Sequence, residues 1–447
     1  MNVSHFNTFP YGGAAYAARR IHEGLVAHGM DSTFFYWKNE RDNLRSDYQQ
    51  IEFLRSPEMS AWQRQMDRMR QRKIKRSYDK HIRQRDKTLE VFSGAKQLDK
   101  TVLDWNQINA NVLHLHWLAF MVDYPSFFQS ISNHVPVVWT LHDMNPFTGG
   151  CHYSSGCQRF ERGCGSCPQL VHPLQRDESM VSFKAKQNAL HRKNLSIVAP
   201  SNWMLNLAKK SPVFADAKRF ELIPYGFDLT ELKPIAKPFA RKQLGINDLD
   251  SVVIGFGAED ITQRRKGLHL LIQSLTQLSV EKPVTCLVFG TGQLPMNSEK
   301  LPPIHPVGFV HSQLDKALVY SAMDLFVMPS LEDNSPQTGL EAMACGTPVV
   351  AFNIGGIPEY VKPNQTGLLS PVGDTAALAE NISWLVNYSS PRLKMSELAR
   401  EFMLQHHTLE QQTEKYIQLY QLVTGLRFKA TSESTAKSTQ YRYRRAA

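Results

Sequence analysis

The chain has 447 residues, of which 42% are hydrophobic and 21% are charged, and its formal net charge at pH 7 is +10. A chain of this length is too long to fold around one ordinary hydrophobic core, so we expect two domains. The sequence contains neither an apolar run of about 18–20 residues nor a charged start followed by an apolar core. A membrane span and a signal peptide are therefore not expected, and the cytoplasm is the predicted location.

The positive charge is concentrated in two segments. Residues 64–87 contain eleven Lys and Arg against three Asp, and residues 427–447 contain six basic residues against one Glu. The spacing of Trp62, Met66 and later apolar residues predicts a basic amphipathic helix in an insert at about 51–100. This helix is either a solvated face or a contact with the anionic inner face of the plasma membrane. Nucleic acid is disfavoured because no binding motif accompanies the charge, and the C-terminal tail is predicted to be disordered.

The first predicted element is a strand over residues 3–9, which runs into Gly12 and Gly13. Apolar residues then recur at helical spacing as far as Gly29. Strand, glycine turn and helix in this order open a doubly wound α/β unit, and the glycines let a ligand approach the backbone. No G-x-G-x-x-G fingerprint of dinucleotide binding follows. Further strands are predicted at residues 112–117 and 135–141, and further α/β units at residues 197–202 and 222–228.

His142 directly follows the predicted strand 135–141. Parallel sheets bind ligands at the carboxyl ends of their strands, so this position favours a functional histidine over a structural one. After a linker-like segment at 232–240 the α/β pattern starts again at residue 251. We therefore predict an N-terminal domain over 1–230, a second domain over 231–405, and a final helix over 406–426 that reaches back to the first domain.

Residues 326–361 contain a strand end, a polar loop and a helix start. Ser335 is predicted as the N-cap of this helix, Pro336 as its first residue and Gly346 as its stop. Unpaired N–H groups and the helix dipole make such a helix start a pocket for anions. Asp333 in the loop can meet a sugar, and Glu341, just over a turn into the helix, can hold ribose hydroxyls. The alternative is an ordinary buried α/β crossover.

A cysteine cluster lies directly after the segment that contains His142. Its members are Cys151, Cys157, Cys164 and Cys167. The Cys-x2-Cys half is usual in tetrahedral thiolate sites, and disulfides are not expected in the cytoplasm. Structural zinc is the leading interpretation, with an iron–sulfur cluster or four reduced thiols as the alternatives. His152 and His172 are spare ligands, whereas Cys286 and Cys345 are predicted to be core residues.

The order of these motifs resembles that of a known family. It is similar to the glycogen-synthase-like retaining glycosyltransferases (glycosyltransferase family 4 type), which have the GT-B fold of two facing Rossmann-like domains with a cleft between them. Within this family the chain resembles the capsular and colanic-acid-type exopolysaccharide transferases. The resemblance covers roughly residues 1–425 apart from the basic insert. The motifs that carry it are Gly12-Gly13, Thr140-Leu141-His142-Asp143, residues 223–228, Arg265-Lys266-Gly267 and residues 326–359.

The resemblance implies a role for each predicted site residue. His142, Asp333 and Lys266 are implied as catalytic residues, with His142 beside the donor sugar. The implied donor-binding residues are Gly12, Gly13, Arg264, Arg265, Lys266, Glu332, Asn334, Ser335, Gln337 and Glu341. Two positions depart from the family pattern: Asp333 replaces the first residue of a Glu-x7-Glu pair, and no phosphate-binding Arg follows Gly257. Arg264 or Arg265 is expected to replace that arginine.

The implied activity is hexosyl transfer with retention, from a UDP- or GDP-sugar to a polysaccharide or lipid-linked glycan acceptor in exopolysaccharide biosynthesis. Front-face displacement is the implied mechanism, and no cofactor is expected for catalysis, because the sequence offers no Asp-x-Asp metal clamp near the donor site. One alternative is a sugar-nucleotide epimerase of the same fold. Another, from a different functional class, is a scaffold that binds sugar nucleotides without turnover.

Overall fold

The computed structural model of the chain describes residues 1–37, 48–53, 60–86, 88–248, 250–294 and 301–428. The predicted disordered tail falls, from residue 429 onward, outside the described residues. The chain divides into two compact units, one formed by residues 1–224 together with the chain from Gln412 onward, the other by residues 225–411. Each unit is built on one parallel sheet with helices packed against it, which confirms the predicted α/β class.

The first unit contains a seven-stranded sheet with the strand order β3-β2-β1-β4-β5-β6-β7. Its strands are β1 (Asn2–Asn7), β2 (Asp31–Tyr36), β3 (Tyr48–Gln50), β4 (Val112–Leu115), β5 (Val137–Thr140), β6 (Leu195–Ala199) and β7 (Arg219–Leu222). Its first five helices are α1 (Gly13–Ala27), α2 (Ala61–His81), α3 (Tyr124–Gln129), α4 (Glu178–Leu190) and α5 (Asn202–Lys210). The order reverses direction at β1 and β4, as in a doubly wound sheet, so the switch point lies between these two strands.

The second unit contains a six-stranded sheet with the order β10-β9-β8-β11-β12-β13. Its strands are β8 (Val252–Asp260), β9 (Val284–Thr291), β10 (Ile304–Gly308), β11 (Leu325–Met328), β12 (Val349–Phe352) and β13 (Gly367–Ser370). Its helices are α6 (Lys237–Gln243), α7 (Leu268–Leu275), α8 (Gln313–Ala322), α9 (Gln337–Ala344), α10 (Thr375–Asn387) and α11 (Ser389–His406). Strands β11 and β12 are wholly apolar and buried, as expected where helices cover both faces of a parallel sheet.

Little of the predicted α/β unit at residues 222–228 is strand. Strand β7 ends at Leu222, and the following segment contributes only an isolated bridge between Phe227 and Thr408. Pro224 explains the early end, because proline has no N–H to donate to a ladder.

Helix α2 confirms the predicted basic helix of the insert. Its start is a capping box, in which Ser60 and Gln63 satisfy each other's backbone N–H groups. Its apolar side chains point largely into solvent, and Trp62 is 69% exposed. The guanidinium of Arg70 anchors the helix to the body by donating to the carbonyls of Gln97 and Leu98.

The last described helix, α12 (Leu409–Thr424), packs on the first sheet. Its buried residues Tyr416, Leu419 and Tyr420 belong to one cluster with side chains from four strands and α1. The strand residues of this cluster are Val3, Val112, Val138 and Val198. The opposite face of the same sheet contributes to the larger core of the first unit. Helix α12 therefore covers sheet area that would otherwise be an exposed apolar patch.

Candidate active site

In the second unit, the loop between β11 and α9 is attached to a basic turn that follows the neighbouring strand β8. The Nζ of Lys266 lies 2.7 Å and the NH1 of Arg265 3.0 Å from the same Asp333 carboxylate oxygen. Burial opposes the ionisation of Asp333, but the two cations outweigh it and lower the pKa of the carboxyl below its usual value. Asp333 is therefore an anion that holds two positive side chains at the carboxyl edge of the sheet.

Two glycines make this close approach of backbones possible. Gly267 has a φ of 77°, and a Cβ there would lie 1.9 Å from the carbonyl oxygen of Pro329. Gly355 has a φ of 61°, and a Cβ there would lie 1.8 Å from the carbonyl oxygen of Asp333. The backbone N–H of Gly356 donates to that same Asp333 oxygen over 3.1 Å. Only glycine fits at positions 267 and 355 without a backbone shift, so both loops are fixed against Asp333.

Helix α9 begins later than the sequence predicts. Its N-cap is Pro336, without a side-chain cap, and its first residue is Gln337, so the assignment of Ser335 as N-cap is wrong. Glu332, Asn334 and Ser335 all lie buried in the preceding loop. The predicted donor-binding stretch therefore stays together, with its polar residues in the loop rather than in the first helical turn. The N–H groups that open α9 still face this loop and suit an anion.

Glu341 lies inside α9 and is buried. Its carboxylate accepts a hydrogen bond from Lys316 Nζ at 2.6 Å and one from the Tyr320 hydroxyl at 2.9 Å. Burial, and next the charge of Glu341, raise the pKa of Tyr320 well above its usual value, so the phenol stays a donor. Both partners come from α8, the helix that precedes β11.

In the first unit, Gly12 and Gly13 follow β1, and His142 follows β5, at the same carboxyl edge of the sheet. Gly12 has a φ of 91° and precedes the first residue of α1, Gly13. The ring of His142 is half-buried, and its Nε2 lies 3.2 Å from Nδ1 of His116. The pKa of His142 is lowered to about 4, chiefly by burial; Asp143 opposes this shift and Arg20 adds to it. His142 is therefore a neutral imidazole at neutral pH.

Asp143 has a structural role next to His142. Its Oδ2 accepts hydrogen bonds from Trp117 Nε1 at 2.7 Å and from His152 Nδ1 at 2.6 Å. The other ring nitrogen of His152 bonds to the Ser93 hydroxyl at 2.8 Å. Both nitrogens of His152 are thus engaged, so its assignment as a spare metal ligand is wrong. The contact instead ties the cysteine-rich loop to the ends of β4 and β5.

The four clustered cysteines line one small cavity of about 20 Å³. Burial raises the pKa of three of these thiols, those of Cys151, Cys164 and Cys167. Within the described residues, the group of potential ligand atoms that lie within 4.8 Å of one another is His5, His114 and His116, not the thiols. Cys286 and Cys345 are buried core residues, as predicted.

A groove of about 1300 Å³ separates α2 from the body of the first unit. Its apolar lining residues are Trp62, Met66, Ile74, Val102, Pro125 and Val181, its basic ones are Arg70, Lys73, Lys96, Lys100 and Arg176, and its acidic ones are Asp67, Asp123, Asp177 and Glu178. The lining therefore combines hydrocarbon with charges of both signs. No helix within the described residues is long and apolar enough to cross a bilayer.

The comparison with protein families decides what kind of domain the second unit contains. A family model described as glycosyl transferases group 1 matches residues 251–388, which include the basic turn, the Asp333 loop and Glu341. The chain carries a group 1 glycosyltransferase domain.

Relatives and solved structures extend this similarity to most of the chain. A protein of Escherichia coli K12 named as a colanic acid biosynthesis glycosyl transferase, WcaC, is 23% identical over 453 residues, covering 94% of this chain and all of the relative. Sucrose-phosphate synthase of Thermosynechococcus elongatus has a TM-score of 0.64 at 20% identity, over 95% of this chain and 99% of that one. HepE of Anabaena, solved with UDP and glucose, has a TM-score of 0.59 at 16% identity, over 93% of this chain and 98% of that one. These likenesses confirm the predicted GT-B fold.

Sequence reasoning missed four residues that hold the candidate site residues. Lys316 and Tyr320 lie one helical turn apart on α8 and both bind Glu341. His5 and His116 lie behind His142 in the first sheet. One sequence signal for these residues is the spacing of His114, in β4, and His116, just after it. Residues two positions apart in a strand lie on the same face of the sheet.

Proposed function

We propose that the protein transfers a sugar, with retention of configuration, from a nucleoside diphosphate sugar to a glycan or lipid-linked glycan acceptor. The observation that carries the proposal is the contact of Lys266 and Arg265 with Asp333 beside the start of α9. Two cations and a helix N-terminus are what a leaving diphosphate needs as its charge grows. The end-to-end similarity to WcaC supports a role in cell-surface polysaccharide synthesis, and the UDP bound to HepE favours a UDP-sugar over a GDP-sugar.

In the proposed reaction, the bond between the anomeric carbon and the diphosphate oxygen breaks while an acceptor hydroxyl attacks the same face of the sugar. The acceptor proton passes to the leaving phosphate oxygen. Arg264, Arg265 and Lys266 stabilise the developing negative charge, and Glu341 holds the ribose hydroxyls. Asp333, with the loop from Glu332 to Gln337, orients the sugar and diphosphate. Gly12 and Gly13 contribute to donor binding, and His142 lies beside the donor sugar, as the family resemblance implies.

A panel of UDP- and GDP-sugars tests this proposal. The purified protein is incubated with each donor, and nucleoside diphosphate release is measured with and without a membrane extract as the source of acceptor. Acceptor-dependent release supports transfer. A changed sugar without transfer to any acceptor supports the epimerase alternative, and binding without any turnover supports the scaffold alternative. Either of these last two outcomes overturns the proposal.

We further propose that α2 brings the protein to the inner face of the plasma membrane. The exposed apolar and basic side chains of α2, among them Trp62 and Arg72, support a contact with an amphiphile that has an anionic head group, such as a phospholipid or a lipid-linked acceptor. Binding to vesicles should require anionic lipid and should fall as salt screens the charges. The variant Arg72→Glu/Lys75→Glu should bind less, whereas Lys242→Glu, an exposed change on α6, should not. Salt-insensitive binding, or none, contradicts this proposal.

We also propose that Cys151, Cys157, Cys164 and Cys167 bind a structural zinc ion. Supporting this proposal is their common cavity, since four cysteines that line one small space suit a tetrahedral thiolate site. Bound zinc would brace the loop after His142. Metal analysis of the purified protein should give about one zinc per chain. The variant Cys164→Ser/Cys167→Ser should lose it and the control Cys286→Ala should keep it; a metal-free wild type contradicts the proposal.

A further inference from the structure

Three histidines form a hydrogen-bonded row through the first sheet and end at His142. His5 lies on β1, and His116 directly follows β4. The Nδ1 of His5 is 3.0 Å from Nε2 of His116, and the Nδ1 of His116 is 3.2 Å from Nε2 of His142. His5 and His116 are fully buried, so bulk water does not compete for these bonds.

Each ring in the row is neutral. Burial, followed by the charges of neighbouring histidines, lowers the pKa values of His5 and His116 well below their usual value. A neutral imidazole has one N–H donor and one acceptor nitrogen. His116 uses both of its nitrogens in the row, so it must donate to one neighbour and accept from the other. The two hydrogen bonds therefore run in the same direction.

The end of the row at His5 selects that direction. Its Nε2 is buried and has no hydrogen-bond partner among the described residues. If the bonds ran from His142 towards His5, this atom would be a buried N–H without an acceptor, which native structures rarely contain. If the bonds run from His5 towards His142, the same atom has only an unused lone pair. The geometry thus favours a proton on Nδ1 of His5 and on Nδ1 of His116.

From this direction we infer that His5 and His116 are positioning residues that fix the tautomer of His142. In that tautomer Nε2 of His142 accepts from His116, and Nδ1 carries the proton. The inference rests on the proposed function for its consequence: with Nε2 occupied by His116 and Nδ1 protonated, His142 does not act as a base towards the acceptor hydroxyl.

A metal ion is a weaker explanation of the same histidines. The ligand atoms of His5, His114 and His116 lie within 4.8 Å of one another. However, His114 already bonds to the Tyr420 hydroxyl at 2.7 Å and to the Thr140 hydroxyl at 2.8 Å. Both nitrogens of His116 are used in the row. A cation would have to break these bonds, and this group of three histidines contains no carboxylate or thiolate that would compensate its charge.

The tautomer can be measured directly. The full chain is labelled with 15N-histidine, and long-range 1H–15N correlation spectra distinguish a protonated Nδ1 from a protonated Nε2. The variant His142→Gln identifies the signals of His142 by their loss. We expect the Nδ1–H form of neutral His142, whereas a protonated Nε2 overturns the inference. This readout does not need turnover, so it decides the inference even if no tested donor is a substrate and the proposed function fails.

Two variants of His116 separate positioning from mere packing. In His116→Asn the amide lies near the former Nδ1 and can still donate to His142, whereas in His116→Gln it lies near the former Nε2 and reaches only His5. Both are buried amides of similar polarity, so their effects on folding, followed by circular dichroism, should be similar. The Gln variant should give mixed His142 tautomers and about a tenfold loss of donor kcat/KM. The Asn variant should resemble wild type, and equal behaviour of the two variants overturns the inference.

Discussion

Lys316 and Glu341 form an ion pair inside the second unit, with 2.6 Å between Nζ and Oε1. Their side chains are only 17% and 3% exposed, so both charges have lost most of their water. Tyr320 donates a second hydrogen bond to the same carboxylate. The orientation of the Glu341 carboxylate is therefore set before a ligand arrives, which lowers the ordering cost of binding.

Replacing Lys316 by Met should destabilise the protein by about 2 kcal/mol, because a buried carboxylate then loses its only described cationic partner. Urea unfolding of the variant measures this loss. The matched control is Lys394→Met, which breaks the exposed pair with Glu397 and should cost about 0.5 kcal/mol or less. Equal losses in the two variants would show that the Lys316 pair contributes no more than a surface pair.

Lys266→Ala and Glu341→Ala should each abolish detectable transfer while the protein stays folded. Removing Lys266 takes one of two cations from the Asp333 loop, and loss of one stabilising charge typically reduces kcat by about 100- to 1000-fold. Removing Glu341 deletes the proposed ribose ligand. The assay is acceptor-dependent release of nucleoside diphosphate, with the exposed Lys242→Ala on α6 as control. Full activity in both variants would refute the site assignment.

Asp333→Asn should bind the nucleoside diphosphate product more tightly but transfer the sugar more slowly. The Asp333 carboxylate repels phosphate groups, so its replacement by an amide should strengthen UDP binding. The carboxylate also holds Lys266 and Arg265 in place, so without it these two cations are less well oriented for transfer. Calorimetric titration with UDP and steady-state kinetics measure the two effects. Weaker binding of UDP by the variant would contradict this account and would place the carboxylate itself on the ligand.

The stability of the first unit should fall as the pH drops below about 6.5. The folded-state pKa values of His5, His114 and His116 are lowered well below 6.5, and that of His142 is about 4. At a pH between the folded-state and the unfolded-state pKa, a histidine binds a proton in the unfolded chain but not in the folded chain. Lowering the pH therefore favours unfolding. Each such histidine contributes up to about 1.4 kcal/mol per pH unit, and this loss is absent above the unfolded pKa.

Unfolding free energies measured in steps from pH 7.5 downward test this dependence. The variant His5→Phe keeps an aromatic ring beside Phe34 and removes one titrating group, so its stability should fall less steeply with acid. A slope as steep as that of wild type would show that His5 does not contribute to it.

The sequence predicted the two doubly wound units because their signals are local. Buried strands such as β11 are continuous apolar runs, and Gly29 and Gly346 mark helix ends by their positive φ. The Asp333 loop was predictable for the same reason, since its residues are adjacent in sequence. The N-cap at Ser335 was predicted from the general preference of serine for that position, but in the structure Ser335 belongs to the buried loop before α9.

The partners of the site residues were not predictable, because they come from distant segments. Lys316 is 25 positions from Glu341, and His5 is 111 positions from His116. No periodicity or motif links such pairs, and only the strand order places His5 beside His116 and His116 beside His142. The ion-pair and hydrogen-bond partners of a site residue can therefore be identified only from the tertiary structure.

Helix α12 has a consequence for how the protein is made. Its Tyr416 and Tyr420 hydroxyls bond to Thr140 and His114, and its apolar side chains cover one face of the first sheet. The last strand of that sheet ends at Leu222, and α12 begins only at Leu409, which the ribosome reaches 187 residues later. The nascent first unit must therefore wait, with an uncovered valine face, until the whole second unit has emerged. Chaperones that recognise exposed apolar strands would have their longest opportunity to bind during this interval.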